Sequence, residues 1–423
     1  MTPPPDAPLA SPAPAWLDER RRAATERLGE PTMPSTDEEV WRYSRVADID
    51  LADWAPVTDI PGPGIPDAVA EVLASLPERA ATVVVRNGFV VHAEIAPAYE
   101  AKGLYAGRLV DGPSADAALG AVAGDGPDVF AALNDARHSD PVLVSVPAGV
   151  AIDRPIVVVD WVDADGAAVW PRLVVRAGDD SELNVLDWHG STDVAALVSP
   201  VIELDVHRAA RLGYTNVQLR GPRIWQVASQ LSRVDTAGTL TSAQAGLGGE
   251  YARTRTDCRL VGRGATGSLQ ALYFGEGSQT LDFRTFQQHA APDTTSNLLF
   301  KGALGDQSRS VYTGLIKVEK NGRGTNAFQT NRNLKLSDDA WAESVPNLEI
   351  ETNDVHCSHA STVGPIDEDQ RFYLESRGVP TEVAERLIVA GFFAEVLEAL
   401  PTAAVVPLVR AAIEERLGRE VGA

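Results

Sequence analysis

The segment His356-Cys357-Ser358-His359 holds the residue types best able to do chemistry in this sequence. On a strand, the two-residue period puts Cys357 and His359 on one face and His356 on the other. A thiolate and an imidazole sharing a face make half of an iron or zinc site. The competing reading is structural, because Cys is among the most buried residue types and a neighbouring His often only hydrogen-bonds. Cys258, in Arg255-Thr256-Asp257-Cys258, has no His near it in sequence and reads as a core or surface thiol. Two cysteines supply neither a disulfide framework nor a four-thiolate centre, so metal chemistry here must borrow ligands. His289, at the end of Thr285-Phe286-Gln287-Gln288-His289, reads as a solvated or hydrogen-bonded histidine.

Other chemistries find no support in the residues. The carboxylates do not settle into a pair spaced for general acid and base work. No Gly-rich loop ends in Lys-Ser or Lys-Thr, so a nucleotide site of its own is not expected, and no Gly-x-Ser-x-Gly elbow occurs. The chain reads as a platform more than as an enzyme. Its 423 residues carry 59 acidic against 37 basic side chains, a formal charge of −22. That surplus repels phosphate backbones, and no local basic stripe offsets it, so nucleic acid is not an expected partner. The first 15 residues include six prolines and no Lys or Arg, unlike a signal peptide. No apolar run approaches the roughly 18 residues of a membrane span. The expectation is a cytoplasmic protein with no membrane partner.

The elements that must position the segment follow from periodicity and punctuation. Residues 1–15 form a Pro/Ala-rich tail expected to be disordered. Residues 16–135 read as an N-terminal α+β region. It has a helix over Trp16–Leu28 stopped by Gly29 and a second helix beginning near Thr36, where Thr36-Asp37-Glu38-Glu39 has capping-box spacing. A linker at Pro61-Gly62-Pro63-Gly64 and a short helix over 67–76 follow, then a hairpin about Asn87-Gly88. Residues 136–364 are a succession of short β-branched segments with no long amphipathic helix between them, which argues against alternating strand and helix. A sandwich, a barrel and a β-solenoid remain open on this pattern, since no strict repeat appears. Residues 365–423 return to helix, either capping the β stack or offering an apolar face to a partner.

Several strings together resemble one family. Pro292-Asp293-Thr294-Thr295-Ser296-Asn297-Leu298-Leu299-Phe300-Lys301-Gly302, Gln329-Thr330-Asn331-Arg332-Asn333-Leu334-Lys335-Leu336-Ser337 and Cys357-Ser358-His359-Ala360-Ser361-Thr362-Val363-Gly364 are similar to the SufB/SufD iron-sulfur assembly family. Glu38-Glu39-Val40-Trp41-Arg42-Tyr43 resembles its N-terminal signature, here with Val40 inserted. Within the family the likeness is greater to SufD. Asn331 stands near a SufB Cys associated with receiving sulfur, and His359-Ala360 stands where SufB has His-Glu. Asp282-Phe283-Arg284-Thr285 departs from the family pattern at Phe283 and is assigned no role.

The resemblance implies a mainly β fold, a right-handed parallel β-helix core flanked by N-terminal and C-terminal helical regions. It implies a non-catalytic scaffold subunit that helps form and release a transient iron-sulfur cluster shared with SufB, with His359 and Cys357 as interfacial ligands. SufB would bind at the β-helix edge. The ABC-type ATPase SufC would bind at the C-terminal helices, with Phe372, Tyr373, Leu387, Phe392 and Phe393 in the contact region; alone, the chain would form a homodimer. Two other readings stand beside this one: a β-solenoid carbohydrate-active enzyme, and a SufB-type sulfur acceptor using Cys357 or Cys258.

Overall fold

Leu260 pairs with His289, His289 with Val318, and Val318 with Ile350, each couple on neighbouring parallel strands. These rows define the architecture. From residue 260 to 289 to 318 the chain completes one coil each time, adding one strand to each of two sheets, which hold 12 and 10 strands. The structure, a computed structural model, describes residues 13–57, 59–76 and 78–420. Its core is a parallel β-solenoid, and it settles the choice that strand patterning left open. The tail expected over 1–15 lies outside the described residues as far as residue 12; the first helix already begins at Ala15.

Strands of ten residues such as Thr280–His289, Thr295–Leu304 and Arg309–Val318 alternate an inward and an outward side chain. Inward residues of both sheets meet in one core. Tyr273 packs on Phe283 at a centroid distance of 4.5 Å, Phe283 on Phe300 at 5.8 Å and Phe300 on Tyr312 at 5.6 Å, so aromatic rings step from sheet to sheet. Each such pair contributes about 0.5–1.5 kcal/mol beyond its buried area. Successive coils fill the same inward place with different side chains, as Leu260, His289 and Val318 do, which is why no repeat is visible in the sequence.

The two ends of the solenoid differ. At the N-terminal end both sheets finish in antiparallel strands. Phe89–Ile95 pairs with Ala81–Arg86 around Asn87 and Gly88, both at positive φ as the hairpin requires, and Tyr105–Arg108 pairs with Val142–Val146. At the C-terminal end Trp341–Ile350 and Val355–Pro365 each pair on one side only.

The helices lie on the flanks. Thr381–Glu398 and Val406–Glu420 bury Val389, Phe393, Val396, Val409 and Ile413 against Trp188, Val217, Leu272 and Phe274 of the 10-stranded sheet. They cover its outer face and leave the end of the stack open. Ala15–Leu28 packs on the helix Val129–Arg137, where Asp135 receives both Arg20 and Arg27. No helix among the described residues is long and apolar enough to cross a membrane.

The helix expected from Thr36 does not form. A single 3₁₀ turn spans Glu39–Trp41, and the capping contacts fall one residue earlier, the Ser35 amide donating to the Glu38 carboxylate at 2.9 Å. The reason is tertiary. The carbonyls of Val40 and Arg42 accept from Arg253 Nη2 at 2.8 Å and Arg284 Nη2 at 2.7 Å, while Trp41 lies on the Arg253 guanidinium at 3.9 Å. A continued helix would engage those carbonyls internally. The two arginines are held in turn by buried Asp282, at 2.7 Å from Arg253 Nη1 and 2.6 Å from Arg284 Nε. Burial alone would raise the Asp282 carboxyl, but the two guanidinium groups outweigh it and hold it below the ordinary carboxylate value. Replacing Asp282 by Ala strands two buried cations. The expected loss is about 3–5 kcal/mol by denaturant titration, with faster proteolysis near Tyr43; an unchanged midpoint would contradict this account.

His289 is fully buried, its ring nitrogens bonded to the hydroxyls of Thr294 at 2.8 Å and Ser296 at 2.9 Å. Burial lowers it to about 4, and burial beside Arg21, Arg172 and Arg20 lowers His138 well below its ordinary value. Both are depressed histidines, so the unfolded chain binds protons that the folded one refuses. Stability is full above about pH 6.5 and falls as pH drops towards 4. His289 alone accounts for up to about 3 kcal/mol of that loss. His289→Gln should therefore flatten the pH 7 to 4 stability profile; equal slopes for both proteins would show that His289 is not responsible.

Candidate functional site

Val355–Pro365 is the last strand of its sheet. β-branched Val355, Thr362 and Val363 favour extension, and Pro365, lacking an amide hydrogen, ends the pairing. The chain then turns into the helix Glu368–Glu375, capped by Asp367, whose carboxylate accepts from the Gln370 amide at 3.0 Å. Register places Cys357 beside Ala327 and His359 beside Gln329, both inward-facing partners, and puts His356 on the outer face beside Asn326. The alternation expected at this segment is thus present. Val355 and Cys357 pack on Ile316, Val318 and Ala327, and Cys357 is half-buried while His356 and His359 are exposed.

Among the described residues no further coil covers this layer. Across from it, Leu348 and Ile350 continue the inward rows of Ile316 and Val318, yet they are 37% and 42% exposed, and Val363 is 41% exposed. A thiol and an imidazole therefore sit on an open layer whose apolar side chains lack a cover. Burial raises the Cys357 thiol above its ordinary value, opposed by a hydrogen bond with the Ala327 backbone, so the thiolate needs a cation to form at neutral pH. Among the described residues no three His, Cys, Asp or Glu side chains gather in a metal-holding group. What the layer offers is a thiol and an imidazole on one open inward face.

Cys258 belongs elsewhere. It is an inward core residue between Ser232 and Gln287, its thiol pushed up to about 12 by burial. Asn331 is also inward and buried, its amide donating to the Tyr273 hydroxyl at 3.0 Å.

The five residues expected to face one partner separate into two sets. Phe372, Tyr373 and Leu387 are 69%, 57% and 52% exposed. Phe393 is fully buried against the sheet, and Phe392 is half-buried. Phe392 meets Lys301, whose ammonium donates to the Phe392 carbonyl at 3.0 Å and to Glu395 at 2.7 Å. Phe393 thus anchors the helix, leaving Phe372, Tyr373 and Leu387 available to a partner. A groove of about 840 Å³ lies between the Tyr43 segment and the 12-stranded sheet, lined by Glu250, Arg309 and Trp341, and includes neither Cys357 nor His359.

Sequence reasoning overlooked Asp282 and Arg284. Their two-residue spacing marks a shared face, and Arg253 stands beside Asp282 one coil earlier. It also overlooked Gln329, the register neighbour of His359.

Residues 161–392 match the family profile described as SUF system FeS cluster assembly, SufBD core domain. Over 299 residues the chain is 34% identical to an iron-sulfur cluster assembly SufBD family protein of Mycobacterium tuberculosis, covering 69% of this chain and 74% of that one. A protein of the same description from Mycobacterium leprae is 34% identical over 69% of this chain and 75% of its own. One from Staphylococcus epidermidis is 26% identical over 64% of this chain and 59% of its own. With the solenoid and its open Cys357 and His359 layer, these matches place the chain in the SufBD family of iron-sulfur cluster assembly proteins.

Proposed function

We propose that this protein is the SufD-type scaffold subunit of a cytoplasmic SUF complex. Its uncovered terminal coil pairs with a SufB-type paralogue, and its C-terminal helices hold the SufC-type ATPase. The single observation that carries the reading is the last coil, which leaves Cys357 and His359 on an open inward face with uncapped Leu348, Ile350 and Val363 around them. Edge strands with unpaired backbone groups seek a mate. A mate that brings its own thiolates completes what two ligands cannot. The cluster is cargo, formed at the junction and passed on. His359 would offer one ring-nitrogen lone pair to iron, and Cys357 would follow by losing its proton as the metal charge offsets its burial.

The SufD-type assignment rests on Asn331 and Cys258. Asn331 cannot form a persulfide, Cys258 is a protonated core thiol, and Cys357 serves as a cluster ligand in this scheme, so the sulfur-accepting step falls to the partner. The chain performs no catalysis in this scheme. A homodimer through the same open coil would be its resting form without the partner.

Two experiments test this. In the complex reconstituted with SufB- and SufC-type subunits, His359→Ala should lower the yield of assembled cluster about tenfold or more, as loss of a metal-site group does; a wild-type yield would remove His359 from the site. Replacing Phe372, Tyr373 and Leu387 together by Ala should weaken capture of the ATPase about tenfold with no change in thermal unfolding, because these side chains are exposed. By contrast, Phe393→Ala should cost about 3–5 kcal/mol of stability. Undiminished ATPase capture by the triple variant would place that contact elsewhere.

A further inference from the structure

Three amides stand in sequence on the inward face of Thr325–Lys335, namely Gln329, Asn331 and Asn333, each no more than 2% exposed. Asn331 and Asn333 are engaged. The Asn333 amide donates to Asn331 Oδ1 at 2.9 Å, the Tyr273 hydroxyl donates to Asn333 Oδ1 at 2.6 Å, and Asn331 donates back to Tyr273 at 3.0 Å. Gln329 differs: among the described residues neither Nε2 nor Oε1 has a partner. Its amide lies against Gly314 of the opposite sheet, where a Cβ would collide with Nε2, so the missing side chain makes its room.

A buried amide left open costs about 1–3 kcal/mol. The neighbour of Gln329 in the next and last coil is His359, which stands on the same inward face and whose imidazole takes part in no hydrogen bond among the described residues. A ligating imidazole has a donor to place as well as a lone pair to present, and what accepts its N–H decides which nitrogen faces the metal.

We propose that Gln329 is the positioning residue of His359. Its side-chain carbonyl accepts the N–H of one ring nitrogen when the imidazole turns inward, and the other nitrogen is left with its lone pair towards the open layer. Asn331 and Asn333 on the same strand are committed to Tyr273 and to each other, so of the three amides Gln329 is the one whose carbonyl is open to His359. This inference rests on the reading of His359 as a ligand.

The test reads the tautomer, not the cluster. With ¹⁵N-labelled histidine in the full chain, long-range ¹H–¹⁵N spectra distinguish the two neutral forms, and His359→Ala assigns the signal. Wild-type protein should hold His359 mainly in one tautomer. Gln329→Leu, which removes the acceptor without a new polar group, should mix the two, and Gln329→Glu, which keeps an acceptor at the same reach, should restore the single form. An unchanged tautomer ratio in Gln329→Leu would overturn the proposal and assign the buried amide to water. Should Leu disturb folding, Gln329→Met replaces it with the same two outcomes. A normal cluster yield in His359→Ala would defeat the ligand reading while leaving the tautomer result standing, so the two failures are distinguishable.

Discussion

In-register parallel pairing is the constraint on which the rest of this molecule depends. Each residue in the solenoid has as neighbours the residues one coil before and one coil after it, and the side-chain period keeps every row on its own face. Ile316 is covered because Leu348 lies above it, and Leu348 is exposed because no described strand lies above it. The same rule buries Cys258 in the middle of the stack and leaves Cys357 half-open at its end. Two thiols of the same chain thus acquire different chemistry from their place in the pile. Burial holds the inner one protonated, and the outer one is partly open at the end of the stack.

Polar residues inside and against the stack decide how it is dressed. Burying a charge is costly unless it is matched, and each buried ion here has named partners. Asp282 lies between Arg253 and Arg284, and the spare donors of those arginines take the carbonyls of Val40 and Arg42. Glu203 receives Arg172 at 2.6 Å and the amides of Gly120, Val122 and Ala123. On the other sheet Lys301 fastens the long C-terminal helix through Phe392 and Glu395. The segments about residues 40–42 and 120–123 and the long C-terminal helix are therefore sewn to opposite sheets by side chains from the outer faces of strands. The terminal coil keeps Leu348, Ile350 and Val363 exposed, beyond the point where these attachments stop.

Much of this was legible beforehand. The strand-rich middle, the Asn87-Gly88 hairpin, the first helix and the shared face of Cys357 and His359 follow from propensity, positive-φ turn chemistry and a two-residue period, all of which are local. The family could be read from strings such as Phe300-Lys301-Gly302 and the run from Cys357 to Gly364. The helix expected at Thr36 failed because its carbonyls were claimed by arginines more than 200 residues away. Phe393 looked equivalent to Phe372 because both are aromatic residues in helices, yet one faces a sheet and the other faces solvent. Asp282 and Arg284 appeared roleless because the segment that covers them is remote in sequence.

By itself, then, the sequence determined the two-cysteine limit on ligands, the strand periodicity and that Cys357 and His359 share a face, because those depend on residue type and on neighbours one or two places away. Only the tertiary structure decided that the strands pile in register, that the last coil is bare, and that Gln329 is the open amide beside His359. Those are relations between residues about 30 positions or more apart, and only the stacking of one coil on another brings them together.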